Sequence, residues 1–168
     1  MSLNKIFKNY FLEIIIIFFI FLFDRISKLY VIHQDKININ SEIYSSKFLN
    51  IHLIWNEGIA FGLFSFNEDY LYNFLTFLIF MVIIFIIFII KKSDPVRKYA
   101  LLLVLGGALG NFFDRIIYKA VPDFIDFHVG NFHWFIFNVS DIFITIGIVS
   151  MIIIECIDKT EKKNNEKF

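Results

Sequence analysis

Several polar side chains stand inside otherwise apolar stretches of this 168-residue sequence, and their spacing groups them. Asp24 and Lys28 are four residues apart, Asn111, Asp114 and Arg115 follow at three and four, and Asn138 and Asp141 are three apart. On a helix each set shares one face. Asp123 stands just beyond the second set, after Pro122. The chemistry within reach is that of paired carboxylates: repulsion keeps one protonated, and the pair can activate and deliver a water, as in aspartic proteases. Other routes lack parts. Cys156 is the only cysteine and lies at the far end of its run from Asp141. No Ser–His or Cys–His dyad is legible, and His33, His52, His128 and His133 have no zinc-ligand spacing. Neither a metal nor a cofactor is expected.

The elements that must position these groups follow from composition. Of the residues, 58% are hydrophobic and 20% aromatic, with 24 Phe. A soluble domain is nearer 45–50% apolar, and a chain of this length cannot bury the excess. Disorder is excluded by the same richness in aromatic and branched residues. Zero net charge gives no basic excess for nucleic acid. Four apolar runs, about 11–31, 70–90, 99–118 and 137–157, are each near the ~20 residues that span a bilayer as a helix. The expected fold is an all-α membrane protein of four transmembrane helices in a single domain over 1–168. The flanks and loops carrying Lys5, Lys8, Lys91, Lys92, Arg97, Lys98, Lys159, Lys162, Lys163 and Lys167 hold most of the basic residues. The positive-inside rule then puts both termini in the cytoplasm. The first run lacks a small-residue cleavage site and reads as an uncleaved anchor. Pro95 is expected in a cytoplasmic turn, and the polar tail over 159–168 is expected to be disordered.

Between the first two runs, Leu49, Ile51, Leu53 and Trp55 alternate with Asn50 and His52, which is strand-like. The glycines at 58 and 62 follow among apolar residues. A small extracytoplasmic β-sheet cradle between helices 1 and 2 accounts for both. At 1.5 Å per residue, Asp24 lies ~20 Å along the first helix, and Asn111 and Asp114 ~18–22 Å along the third. Asn138 and Asp141 fall within the first ~6 Å of the fourth, entering from outside. All reach the outer third of the bilayer, where ionisable groups point to a functional site.

Structural readings compete. Asp24 with Lys28 reads first as a structural pair, and Asp114 beside Arg115 as an internal salt bridge. Arg25 and Lys28 can snorkel outward. Asp141 can serve the helix dipole. Depth alone leaves Asp114 and Asp123 both open as partner of Asp141, with Asp126 a weaker third. A small transporter would spread polar groups through the bilayer, whereas helix 2 is almost wholly apolar and only Glu13 and Glu155 mark the inner halves. A structural helix-bundle subunit would leave Asp123 and Asp141 unexplained.

Five short motifs in order resemble the bacterial lipoprotein signal peptidases (signal peptidase II). D-R-I-S-K (Asp24 to Lys28) is similar to D-x-x-[ST]-K, and N-E-G-I-A-F (Asn56 to Phe61) to N-x-G-x-A-F. G-G-A-L-G-N-F-F-D-R (Gly106 to Arg115) is similar to G-G-A-x-G-N-x-x-D-R, V-P-D-F (Val121 to Phe124) to V-x-D-F, and F-N-V-S-D (Phe137 to Asp141) to F-N-x-A-D. Two positions depart from the pattern: Lys119 stands where the family usually has Gly, and Ser140 where it usually has Ala. Lys119 is expected to alter the turn leaving helix 3, and Ser140 to add a hydroxyl beside the active carboxylate. The resemblance implies that Asp123 and Asp141 are the catalytic aspartates, one polarising water and the other protonating the scissile amide. It implies that Asn56, Gly58, Asn111, Arg115 and Asn138 line the substrate cleft, and that Asp24, Lys28 and Asp114 support the fold. The implied substrates are prolipoproteins carrying a diacylglyceryl-cysteine, cleaved before that cysteine. The implied setting is the bacterial inner membrane, in contact with lipid, as a monomer with its active site near the extracytoplasmic face.

Overall fold

In the computed structural model, which describes residues 3–37, 42–58 and 69–165, the most buried side chains in the helices include charged ones. Asp24, Lys28 and Asp114 are 0% exposed, whereas Phe18, Phe19 and Phe23 are 56%, 49% and 58% exposed. Apolar outside and polar inside is how a bundle folds when its solvent is hydrocarbon. Four helices follow the four runs: α1 (Leu3–Ile37), α2 (Asp69–Ile90), α3 (Pro95–Tyr118) and α4 (Val139–Asn165). Among the described residues, three stretches are long and apolar enough to cross a membrane, Tyr72–Ile90, Pro95–Tyr118 and Val139–Thr160. α1 is longer still, but Glu13, Asp24, Arg25 and Lys28 interrupt it.

The helix ends differ from the apolar runs for local reasons. α1 extends beyond 11–31 at both ends. α3 begins at Pro95 rather than in a turn around it, because the Asp94 carboxylate accepts the Val96 and Arg97 N–H groups at 3.0 and 3.2 Å and Pro suits the first helical position. α4 starts at Val139 because Phe137 ends a strand. The tail, expected to be disordered from Lys159, is helical through Asn165. Lys and Glu are good helix formers, and adding residues to an existing helix avoids the cost of nucleation.

The sheet is larger than the cradle expected between helices 1 and 2. β1 (Glu42–Ser45) and β2 (Leu49–Asn56) come from that gap, but β3 (Val121–Val129) and β4 (Phe132–Phe137) come from the gap between α3 and α4. All pairs are antiparallel, in the order β1-β2-β3-β4. Gly130, at φ +60°, and Asn131 join β3 to β4 in a two-residue turn; positive φ at the first central position is what a type II′ hairpin requires. Across β2 and β3, Asn56 pairs with Val121 and Ile54 with Asp123. The sheet therefore brings the Asn-Glu-Gly segment to Asp123. The rest of that motif (Ile59, Ala60 and Phe61) and Gly62 lie outside the described residues.

α3 is the central helix, packed against α1, α2 and α4. Ile83, Ile86 and Ile90 of α2 meet Leu101, Leu102 and Leu105 of α3 in the main apolar core. Gly107 and Gly110 let α4 and α1 approach the α3 backbone: a Cβ at Gly107 would collide with the Ser140 carbonyl oxygen, and one at Gly110 with Ser140 Oγ and Asp24 Oδ2.

Candidate active site

Three asparagines build the site by one shared device. Asn56 Oδ1 accepts the Gly58 N–H at 2.9 Å, and its Nδ2 donates to Asp123 Oδ2 at 2.9 Å. Asn138 Oδ1 accepts the Asp141 N–H at 3.2 Å, and its Nδ2 donates to Asp123 Oδ1 at 2.6 Å. Asn111 Oδ1 accepts from Lys28 Nζ at 2.9 Å, and its Nδ2 donates to Asp141 Oδ1 at 2.8 Å. In each case a group that can only donate fixes the amide oxygen, so the amide NH2 must face a carboxylate. The remaining oxygen, Asp141 Oδ2, accepts the Asn138 N–H at 3.1 Å. Each of the four carboxylate oxygens thus receives a donor.

Behind this set lies a buried ionic cluster. Lys28 Nζ is 2.8 Å from Asp24 Oδ1 and 2.6 Å from Asp114 Oδ2. Arg25 Nη2 is 2.8 Å from Asp24 Oδ2 and 2.6 Å from Asp114 Oδ1, with its guanidinium carbon 5.0 Å from the Phe113 ring centre. Two acids and two bases balance, which is the condition for keeping charges away from water. Asp24 also accepts the Ser140 N–H at 3.1 Å, so α1 secures the first turn of α4. Two expectations are corrected here. Arg25 and Lys28 do not snorkel outward, because each finds two carboxylates inside. Asp114 pairs across to α1, with Lys28 and Arg25, rather than with its neighbour Arg115, whose guanidinium is turned to backbone carbonyls.

Arg115 instead donates to the Asn111 carbonyl at 3.2 Å and to the Gly58 carbonyl at 3.1 Å, tying the end of the β2 segment to α3. The Ser140 hydroxyl, expected beside Asp141, is buried against Gly110 near Asp24. Lys119 closes α3 in the left-handed region, φ 58° and ψ 19°, which is the conformation glycine adopts most easily. Asp126, the weaker candidate, is three residues from Asp123 along β3 and accepts from His133 instead. Residues three apart on a strand face opposite ways.

Two cavities flank the carboxylates. One of about 570 Å³ is bounded by Asn111, Arg115 and Asp141 at its polar end and by Leu75, Ile79 and Ile148 further along the helices. The other, about 430 Å³, is lined by Asp123, Asn56, Gly58, Trp55 and Trp134. Phe135 borders both. Its position on β4 gave no signal in the sequence; the Gly-Asn turn between two apolar runs was the cue to the hairpin that carries it. Asp123 stands outside the helices, and burial, then the charge of Asp141, push its carboxyl up to about 6 against the opposing pull of Asn56 and Asn138. Two carboxylates so disposed can share one proton and hold a water between acid and base.

Residues 16–157 match the family model described as signal peptidase (SPase) II. A lipoprotein signal peptidase of Pelagibacter ubique (strain HTCC1062) is 51% identical over 166 residues, covering 98% of this chain and 99% of that protein. One of Anaplasma phagocytophilum (strain HZ) is 36% identical, covering 84% and 90%. Two solved structures of bacterial membrane enzymes are similar, with TM-scores of 0.76 and 0.69 at 31% and 30% identity. They cover 89% and 84% of this chain and 90% of each of theirs. With the family model matched over residues 16–157 and a relative 51% identical over nearly the whole length of both proteins, the chain belongs to the signal peptidase II family.

Proposed function

We propose that this protein is an intramembrane aspartyl endopeptidase that removes signal peptides from diacylglyceryl-modified prolipoproteins by cutting before the lipidated cysteine. The observation that carries the mechanism is that Asn138 touches both carboxylates, with its side chain on Asp123 and its backbone N–H on Asp141. Asp123, pushed up to about 6, holds the shared proton, and Asp141 is the base. Asp141 takes a proton from water as the oxygen attacks the scissile carbonyl carbon, and Asp123 gives its proton to the carbonyl oxygen. The tetrahedral diol collapses when Asp141 passes its proton to the amide nitrogen and Asp123 regains one from a diol hydroxyl. Arg115 and the asparagines hold the peptide backbone, and the cavity reaching down to Ile79 and Ile148 receives an acyl chain.

Four membrane crossings with both termini in the cytoplasm suit this reading. α1 packs against α3 and α4, and its buried charges meet Asp114 of α3 and the Ser140 N–H of α4. The carboxylates then lie near the extracytoplasmic face of the inner membrane, where the sheet rests. One copy suffices, because every group named comes from a single chain. The test is reconstitution with a diacylglyceryl-modified prolipoprotein. Asp123→Asn and Asp141→Asn should each abolish cleavage while remaining folded; native-rate cleavage by either would remove it from the mechanism.

A further inference from the structure

Away from the catalytic pair, the β3–β4 hairpin gathers a second chemical set. Asp126, His128 and His133 each offer one ligand atom, and these atoms all lie within 4.8 Å of one another. Asp126 and His128 are two apart on β3 and share a face, while His133 stands opposite His128 across the ladder. A register shift between Asp126 and His128 bends the hairpin at this point, as bulges do when they re-aim a side chain. The Asp126 side chain is 2% exposed and sits 2.9 Å from His133 Nδ1. The two imidazole rings are near-parallel, 5.0 Å apart at their centres. His128 Nδ1 is buried and makes no hydrogen bond among the described residues. A buried imidazole nitrogen left without a partner is costly, and the ring that carries it stacks on the half-exposed His133 imidazole, which in turn reaches the buried Asp126 carboxylate.

We infer that Asp126, His128 and His133 form a binding site for a divalent transition metal, Zn²⁺ above all. Two imidazoles and one carboxylate match the ligand types of zinc, at about 2.0–2.2 Å each, with water in the fourth position. Tetrahedral bonds of that length need ligand atoms roughly 3.3–3.6 Å apart, so the Asp126–His133 pair, now at 2.9 Å, must open slightly while any wider separation within the 4.8 Å set closes. His133, on the solvent side, has the freedom to make that move. In sequence the set is hidden, because positions 126, 128 and 133 converge only through the hairpin register. Its consequence is mechanical: His133 also borders the cavity that holds Asp123, together with Trp134 and Phe135. A bound ion would fasten that wall of the substrate cavity to β3.

The experiment titrates ZnCl2 into the full chain, purified in detergent, by calorimetry, and repeats it with Co²⁺ followed by visible absorption. One equivalent should bind, with the intense ligand-field bands of a four-coordinate ion. His133→Ala, at an exposed position that leaves folding intact, and His128→Ala should each weaken binding by roughly tenfold or more. Asp141→Asn should leave it unchanged. Absence of saturable binding, native affinity in His133→Ala, or loss of binding in Asp141→Asn alone would each overturn the assignment.

Discussion

Asn138 and Asp141 cap one another across the first turn of α4, the Asn138 side chain accepting the Asp141 N–H and the Asp141 side chain accepting the Asn138 N–H. This is the reciprocal arrangement of a capping box, with Asp in the place usually held by Glu or Gln. It freezes the rotamer of the carboxylate proposed as base before any substrate arrives. It also leaves the Asn138 NH2 with one direction, toward Asp123.

Asn138→Ala removes a helix cap and one donor to Asp123 together. The cap is worth about 1 kcal/mol of stability. Turnover should fall by far more than that loss explains, roughly a hundredfold, as expected when a preorganising donor is deleted. Thermal unfolding and kcat measured on one preparation separate the two effects.

The pH profile should carry the signature of Asp123. With its carboxyl near 6, the singly protonated pair is lost as pH rises, so kcat/KM should decline on an alkaline limb with an apparent pKa of about 6. Bound substrate excludes water and favours the neutral acid, so the limb of kcat should lie higher.

Stability should follow the same group with a defined sign. Because the folded value is above the unfolded one, the native state binds the proton more tightly. Its advantage is complete below about pH 4 and is lost as pH rises through about 6. Wild type therefore gives up about 2 kcal/mol at pH 8 relative to pH 4 on account of this residue. The Asp123→Asn variant, with no carboxyl to ionise, avoids this loss. Unfolding temperatures across pH 4–8 should show the variant gaining on wild type as pH increases.

Lys28 serves both stability and geometry, and a pair of substitutions distinguishes the roles. Lys28→Met leaves Asp24 and Asp114 with Arg25 alone and should cost about 3–5 kcal/mol. Adding Asp114→Asn restores charge balance and should recover much of that stability. Asn111 would still lack the donor that turns its NH2 toward Asp141, so kcat should stay low with KM little changed. Recovery of kcat along with stability would make Lys28 purely structural.

Lys119 holds a left-handed backbone that costs a non-glycine residue about 1 kcal/mol. Its Nζ reaches Asn73 Oδ1 at 3.1 Å, but that contact is exposed and worth little. Lys119→Gly should raise stability by up to about 1 kcal/mol without altering kcat, as denaturation and turnover assays would show.

Apolar runs and charge spacing made the four helices legible, because a bilayer demands a long, obvious pattern. β2 was legible through its alternation, whereas β3 was not: Asp123, Phe124 and Asp126 are all buried, so no polar face marks the strand. The partners of Asp114 were hidden for a different reason. Neighbours in sequence suggested Arg115, but the choice depends on which face of α3 meets α1, and glycine packing at Gly110 decides that. The capping pair was readable as Asn-x-x-Asp at a helix start; its link to Asp123 needed the sheet.

The bond between Asp24 and the Ser140 N–H joins positions 116 residues apart. At about 5–20 residues per second of synthesis, α1 must wait roughly 6–23 s for α4 to emerge. During that interval the α1 segment holds one acid against Arg25 and Lys28, a surplus of positive charge that Asp114 cancels only when α3 arrives. Assembly in the membrane thus has a built-in sequence of neutralisation, and the pair of carboxylates proposed as catalytic is completed only by α4. On that proposal, a nascent chain stays inert until α4 is seated.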